Sequence, residues 1–176
     1  MRELADAARI RRFMRELGTT TDVAARVYFT GGATAVLFGW RDSTIDVDVK
    51  FVPELDVLFR AIPQLKESLH LNVELASPAD FIPVRPGWEE RSPYIASEGH
   101  LTFHHFDLYA QALAKVERGH AQDVEDVRAM VNRGLVDPAE ARRYFDAIEP
   151  ALYRYPAVDP PAFRRAVIEL LGGTAG

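Results

Sequence analysis

From Ile45 to Phe51 the chain alternates without a break, with Ile45, Val47, Val49 and Phe51 on one side and Asp46, Asp48 and Lys50 on the other. A period of two is the signature of a strand with one apolar and one polar face. The apolar face must lie on a core, which leaves two carboxylates side by side, about 7 Å apart along the backbone. Such neighbours repel each other unless a cation joins them, and hard oxygen donors suit Mg²⁺ or Mn²⁺ bound together with substrate phosphates. The same D-x-D also fits the solvated face of an ordinary amphipathic strand, so by itself it leaves both readings open.

The residues before it narrow the choice. Arg26 to Thr30 is β-branched and aromatic, Gly31-Gly32 interrupts it, and Ala33 to Phe38 reads as a short apolar helix closing near Gly39. A glycine turn between a strand and a helix offers bare backbone N–H groups to a phosphate. Strand, glycine turn, short helix and second strand thus bring a phosphate cradle to the two aspartates.

Around this unit the periodicity predicts a first helix over residues 3–17, a helix over roughly 54–68 that Pro63 should kink or shorten, and a strand at 71–75. Residues 77–91 carry three prolines and read as a loop, and 94–96 with 101–106 as a hairpin. Four helices follow, near 108–118, 120–133, 138–150 and 161–172. The expected organisation is an α/β part, residues 1–106, followed by a helical region, residues 107–176. With no Gly/Ser-rich linker between them, the two are expected to pack as one unit.

Composition excludes several chemistries. The 176 residues contain no cysteine, which rules out disulfides, thiolate catalysis and cysteine-held metal centres. The longest apolar run, Val27 to Trp40, is too short for a membrane helix, and the amphipathic N-terminal segment does not read as a signal peptide, so a cytoplasmic location is expected. A net charge of −5 argues against a surface coated for nucleic acid. Arg2, Arg9, Arg11, Arg12 and Arg15 nevertheless crowd the first helix, either as a solvated face or as a polynucleotide contact.

The stretch Val27 to Gly32, followed by Gly39, Thr44, Asp46 and Asp48, resembles the signature of the polymerase-β-like nucleotidyltransferase superfamily, and more closely that of the bacterial AbiEii-type nucleotidyltransferase-like proteins. The resemblance covers roughly residues 26–130. It implies the nucleotidyltransferase fold, an α/β (α+β) mixed sheet with flanking helices. It also implies Mg²⁺ (or Mn²⁺) as cofactor on Asp46, Asp48 and a third carboxylate. Asn72-Val73-Glu74-Leu75 is similar to the family's second motif, with Asn where Lys is common, which makes Glu74 that third carboxylate; Asp80 and Asp107 are rivals, and an exposed strand Glu is the plain alternative. The helical third motif resembles Lys115, Arg118, Gln122-Asp123 and Asp126. Gln122 stands in place of an Arg, and the Lys lies one turn beyond the usual place, which Gln111 occupies.

The implied activity is transfer of a nucleotidyl group from an NTP to a hydroxyl. Gly31, Gly32, Thr44, Lys115 and Arg118 would bind the triphosphate, and Asp46, Asp48, Glu74, Lys115 and Asp123 would carry the chemistry. The acceptor stays open: an RNA 3′ end such as that of a tRNA, as the toxin-like relatives imply, a protein hydroxyl or a small molecule. A cognate toxin or antitoxin partner is implied in the same way. The competing reading is a catalytically silent NTP-binding or partner-binding module of a toxin–antitoxin pair. His100, His104 and His105 lie in the hairpin, but adjacent strand residues face opposite sides and make a poor metal site. Trp40, Trp88, Tyr94 and Phe106 can stack a base or fill a core.

Overall fold

The computed structural model describes residues 3–172, so Arg2 of the basic cluster lies outside the described residues. Two compact units form. One contains the residues up to Ser77 together with Ser92–Phe106; the other contains Pro78–Arg91 together with the residues from Asp107 on. Among the described residues, no helix is long and apolar enough to cross a membrane.

The first unit begins with a two-residue strand β1 (Ala5–Asp6) and helix α1 (Ala7–Gly18). The helix starts later than the periodicity predicts because the Asp6 carboxylate caps it, accepting from the Arg9 N–H at 2.8 Å. β2 (Ala25–Thr30), α2 (Gly32–Phe38), β3 (Ser43–Thr44) and β4 (Asp46–Val52) follow. Ile45, expected on the core face, instead lies 71% exposed between β3 and β4. The alternation sets in one residue later, at Asp46, where the ladder to β5 begins.

Helix α3 (Asp56–Ser68) runs through Pro63 without ending there. Pro63 lies on an exposed part of the helix, where its ring meets solvent rather than the core. β5 (Asn72–Leu75), β6 (Tyr94–Glu98) and β7 (Leu101–His105) complete the unit.

The strand order β5-β4-β2-β7-β6 makes a mixed five-stranded sheet, parallel where β4 meets β5 and β2 meets β7, and antiparallel elsewhere. β1 and β3 form a separate antiparallel pair. Ile10, Phe13, Met14 and Leu17 of α1 and Leu58, Ile62 and Leu65 of α3 pack on the sheet face of Val27, Phe29, Val47, Val49, Phe51 and Phe103. This is the apolar side of the alternation; the aspartates occupy the other.

The second unit is helical: α4 (Leu108–Arg118), α5 (Ala121–Asn132), α6 (Pro138–Ile148) and α7 (Pro160–Leu171), with 3₁₀ turns at Pro78–Asp80 and Glu149–Arg154. Side-chain caps from Asp107, Asp137 and Asp159 start three of these helices. Pro78–Arg91 belongs here: Arg85 N–H donates to the Tyr144 hydroxyl at 3.0 Å, and Tyr155 donates to the Ala79 carbonyl at 2.9 Å. Seven α-helices, a mixed five-stranded sheet and a two-stranded sheet among the described residues make a mixed α/β protein consistent with a nucleotidyltransferase-like fold.

Candidate active site

β4 sets Asp46, Asp48 and Lys50 on one face by its period, with Val47, Val49 and Phe51 buried opposite. Parallel pairing with β5 places Asn72 beside Asp46 and Glu74 beside Asp48. Residues in register on neighbouring strands share a face, so three carboxylates and one amide form a polar stripe at the sheet edge. Like charges directly opposite are unfavourable, and the amide moderates this: Asn72 Nδ2 donates to Asp46 Oδ1 at 2.5 Å and to Glu74 Oε1 at 3.1 Å.

The β2–α2 turn supplies the other wall. Gly31 has φ 66° and ψ −129°, a conformation open to glycine and strained for any other residue. A Cβ there would also stand 3.2 Å from Asp48 Oδ2. A Cβ on Gly32 would lie 1.9 Å from Thr44 Oγ1, so the position admits no side chain while Thr44 is in place. Thr44 in turn donates its hydroxyl to the Asp46 carbonyl at 3.1 Å, fixing the start of β4. Both glycines therefore let the turn backbone close onto the residues that present the aspartates.

Hard oxygen donors side by side on a rigid strand fit a divalent cation that takes its remaining ligands from water and a triphosphate. Among the described residues, however, no three His, Asp or Glu side chains stand together as a ready metal cage. Glu74 is turned to the Asn72 amide. Asp46 and Asp48 thus carry the fit, with Glu74 adjacent in register.

The third-motif residues come together within the second unit. Lys115 Nζ lies 2.7 Å from Asp126 Oδ2 and 4.0 Å from Asp123 Oδ1, and the lysine is 5% exposed. Arg118 grips Asp123 with two bonds, 2.8 and 2.6 Å, while the His120 N–H adds a third at 3.2 Å. Burial pushes the Asp123 carboxyl up, but the Arg118 hydrogen bonds and charge, with the charge of Lys115 and the His120 N–H, outweigh it and hold it below the usual range. Gln122 donates to Asp126 at 3.2 Å. Two cations and two anions thus satisfy one another between α4 and α5.

The rivals for the third carboxylate serve other ends. Asp107 is fully buried, capping α4 through the Tyr109 N–H and accepting from Arg91 Nε at 3.0 Å; Asp80 is exposed in a 3₁₀ turn.

In the hairpin the two histidines part as alternation requires. His104 stacks on Tyr28, while His105 packs on Phe38 with its Nδ1 3.0 Å from Thr34 Oγ1. Burial, with Arg11 and His104 adding to it, lowers His105 to about 4. Trp40 stacks on Phe38, and Phe106 is fully buried against Tyr28. Tyr94 is 60% exposed.

Sequence reasoning noted Asn72 only as a substitute for Lys. Its hold on Asp46 spans 26 residues and depends on which strands are neighbours, which no local pattern reveals.

A family described as nucleotidyltransferase of unknown function (DUF6036) matches residues 6–154. No curated protein and no solved structure matches the chain.

Proposed function

From the premise that this chain belongs to the DUF6036 nucleotidyltransferase family, we propose that it transfers a nucleotidyl group from an NTP to a hydroxyl on an RNA 3′ end, in the first unit, around Asp46 and Asp48. The observation that carries the proposal is the placement of the Asp48 carboxylate 3.2 Å from the position a Gly31 Cβ would fill, with Asp46 and Glu74 on the same face. Strand and turn meet where a triphosphate needs both a cation site and bare backbone.

In this reading Asp46 and Asp48 hold Mg²⁺ (or Mn²⁺), with Glu74 next to them. The bound ion supplies positive charge that offsets the triphosphate and the leaving pyrophosphate. Everything else falls to the chain. Gly31 and Gly32 give the phosphates access to the turn backbone, Thr44 fixes the entry to β4, and Asn72 orients the Asp46 carboxylate. The acceptor oxygen bonds to the α-phosphorus, the bond to the bridging oxygen breaks, pyrophosphate departs, and Glu74 takes the hydroxyl proton. Lys115, Arg118 and Asp123 act by bracing α4 against α5.

The likeness of the first motif to the AbiEii-type proteins is what suggests RNA as acceptor, and a toxin–antitoxin setting with a cognate partner protein belongs to the same proposal. The test is incubation with each labelled NTP, Mg²⁺ and total RNA, protein or metabolite fractions. Label in RNA that disappears in Asp48→Asn supports the proposal. Label in protein or metabolites alone overturns the acceptor, and no label in any fraction overturns transfer.

A further inference from the structure

A cleft of about 410 Å³ opens in the first unit between α1 and the end of α3, a volume within the range that ligand sites occupy, roughly 300–1,000 Å³. Its walls include Arg9, Arg12 and Arg15 of α1, with Ser68 and His70 opposite and Asp6 at the mouth of the helix. Three guanidinium groups converge here in a chain whose net charge is −5, so the positive charge is concentrated rather than spread.

The intramolecular partners of these arginines leave capacity unused. Arg9 reaches Glu3 at 2.5 Å and Arg12 reaches Glu16 at 3.1 Å, both through pairs open to solvent. Such pairs contribute little and exchange readily for a better acceptor. Arg15 has no hydrogen-bond or ion-pair partner among the described residues. Arg9 Nη1 is shielded from solvent and likewise has no acceptor among them, an unusual state for a guanidinium donor.

The cleft is tied to the candidate active site by two short paths. Asp6 pairs with Ser43 and Ala5 with Thr44, the residue whose hydroxyl holds the Asp46 carbonyl. His70 lies two residues before Asn72, the register partner of Asp46. Along that second path the backbone distance from His70 to Asp46 is at most about 12 Å, taking strand rise and strand spacing together. Both paths end at Asp46 on β4, beside the edge strand β5; because the aspartates face away from α1 and α3, a strand held in the cleft reaches them by passing round this end of the sheet.

We infer that this cleft binds the phosphodiester backbone of a single-stranded RNA, holding the acceptor strand so that its 3′ end reaches the Asp46–Asp48 face. The inference rests on the transferase reading for its orientation, and on the arginine cluster for the binding itself. Residues 9, 12 and 15 rise about 4.5 Å at each step along α1, which presents forked donors in a row. Guanidinium forks match phosphate oxygens bidentately, and a polymer with repeated phosphates engages all three at once.

The test measures binding of a labelled single-stranded RNA to the full chain carrying Asp46→Asn, by fluorescence anisotropy without NTP, beside the thermal shift given by Mg²⁺ and NTP on the otherwise unaltered chain. Three phosphate contacts give a salt slope near −2, so affinity should fall about 20-fold between 50 and 200 mM salt. Arg12→Glu with Arg15→Glu should weaken RNA at least about tenfold and leave the nucleotide shift unchanged, while Arg60→Glu on the exposed side of α3 should change neither. Arg12→Gln with Arg15→Gln provides the milder variant should the charge reversal fail to fold. RNA affinity unaltered by loss of these arginines, or lowered equally by Arg60→Glu, overturns the inference even where the nucleotide shift persists. Loss of the nucleotide shift in the unaltered chain overturns the transferase reading instead.

Discussion

Asn72 stands directly opposite Asp46 in the parallel pairing of β5 with β4, and its amide donates to the Asp46 carboxylate at 2.5 Å. A Lys at this position would neutralise the aspartate, whereas the amide aims it without cancelling its charge. Asn72→Leu, similar in size and unable to donate, should reduce Mg²⁺ affinity or transfer rate about 10–100-fold, the usual cost of losing a group that orients a metal ligand. Mg²⁺ titration of the transfer rate checks this. An unchanged midpoint and rate would show that Asn72 does not aim the ligand.

Asp46→Asn and Asp48→Asn should each lower transfer by at least about a hundredfold. Neither should lower the melting temperature, because taking away one of three crowded carboxylates relieves repulsion in the ion-free chain. Rate and melting temperature are measured on the same preparations. A variant that melts early, or one that keeps full transfer, would separate these aspartates from the chemistry.

Gly32→Ala should destabilise the first unit by about 1–3 kcal/mol, since the new methyl falls 1.9 Å from Thr44 Oγ1 and either the turn or the start of β4 must move. Thr44→Ala in the same chain should recover only part of this, because the Thr44 Cβ itself lies 2.6 Å from the new atom. Urea unfolding of the single and double variants tests the contact. Full recovery in the double variant would place the strain in the hydroxyl alone.

The strand carrying Asp46 and Asp48 was legible because a period of two shows directly in sequence, and Gly31-Gly32 because only a glycine turn breaks so apolar a run. What eluded sequence were relations between elements. Ile45 continues the alternation in letters yet precedes the ladder and is exposed. Pro63 looks like a helix end, but α3 continues past it with the proline itself exposed and Ile62 and Leu65 on either side held in the core. Lys115 could be placed on a helix face by its spacing, while the partner on that face, Asp126, lies on the next helix. The family's motif marked Lys115 as a triphosphate ligand; the fold surrounds it with carboxylates of its own unit.

His105 gives the first unit a pH-dependent stability. Its folded value is depressed from 6.5 to about 4 by burial, so the unfolded chain takes up a proton more readily than the folded one. The stability this confers is complete above about pH 6.5 and is lost as pH falls from there toward 4. The full loss is about 3 kcal/mol, from the size of the shift. His105→Gln, which keeps a polar group facing Thr34, should flatten the urea-midpoint profile across that window. A profile as steep as that of the unaltered chain would assign the pH dependence to other groups.

The buried pair of Lys115 and Asp126 sets the last expectation. An ammonium 2.7 Å from a carboxylate, with both side chains almost wholly buried, is costly to break from one side, because the buried carboxylate left behind loses its cation and keeps only neutral donors such as the Gln122 amide near it. Lys115→Ala should therefore cost about 3–5 kcal/mol, a far larger loss than an exposed helix pair would give. Asp123 keeps Arg118 in that variant, so the damage falls on Asp126. Replacing both partners, as Lys115→Met with Asp126→Leu, should recover most of the loss, since two apolar side chains leave no unpaired charge. Denaturant midpoints for the two single variants and the double variant close the cycle. If Lys115→Ala leaves the midpoint unchanged and instead raises KM for the NTP, the lysine serves the triphosphate, and the bracing role assigned to α4 and α5 fails.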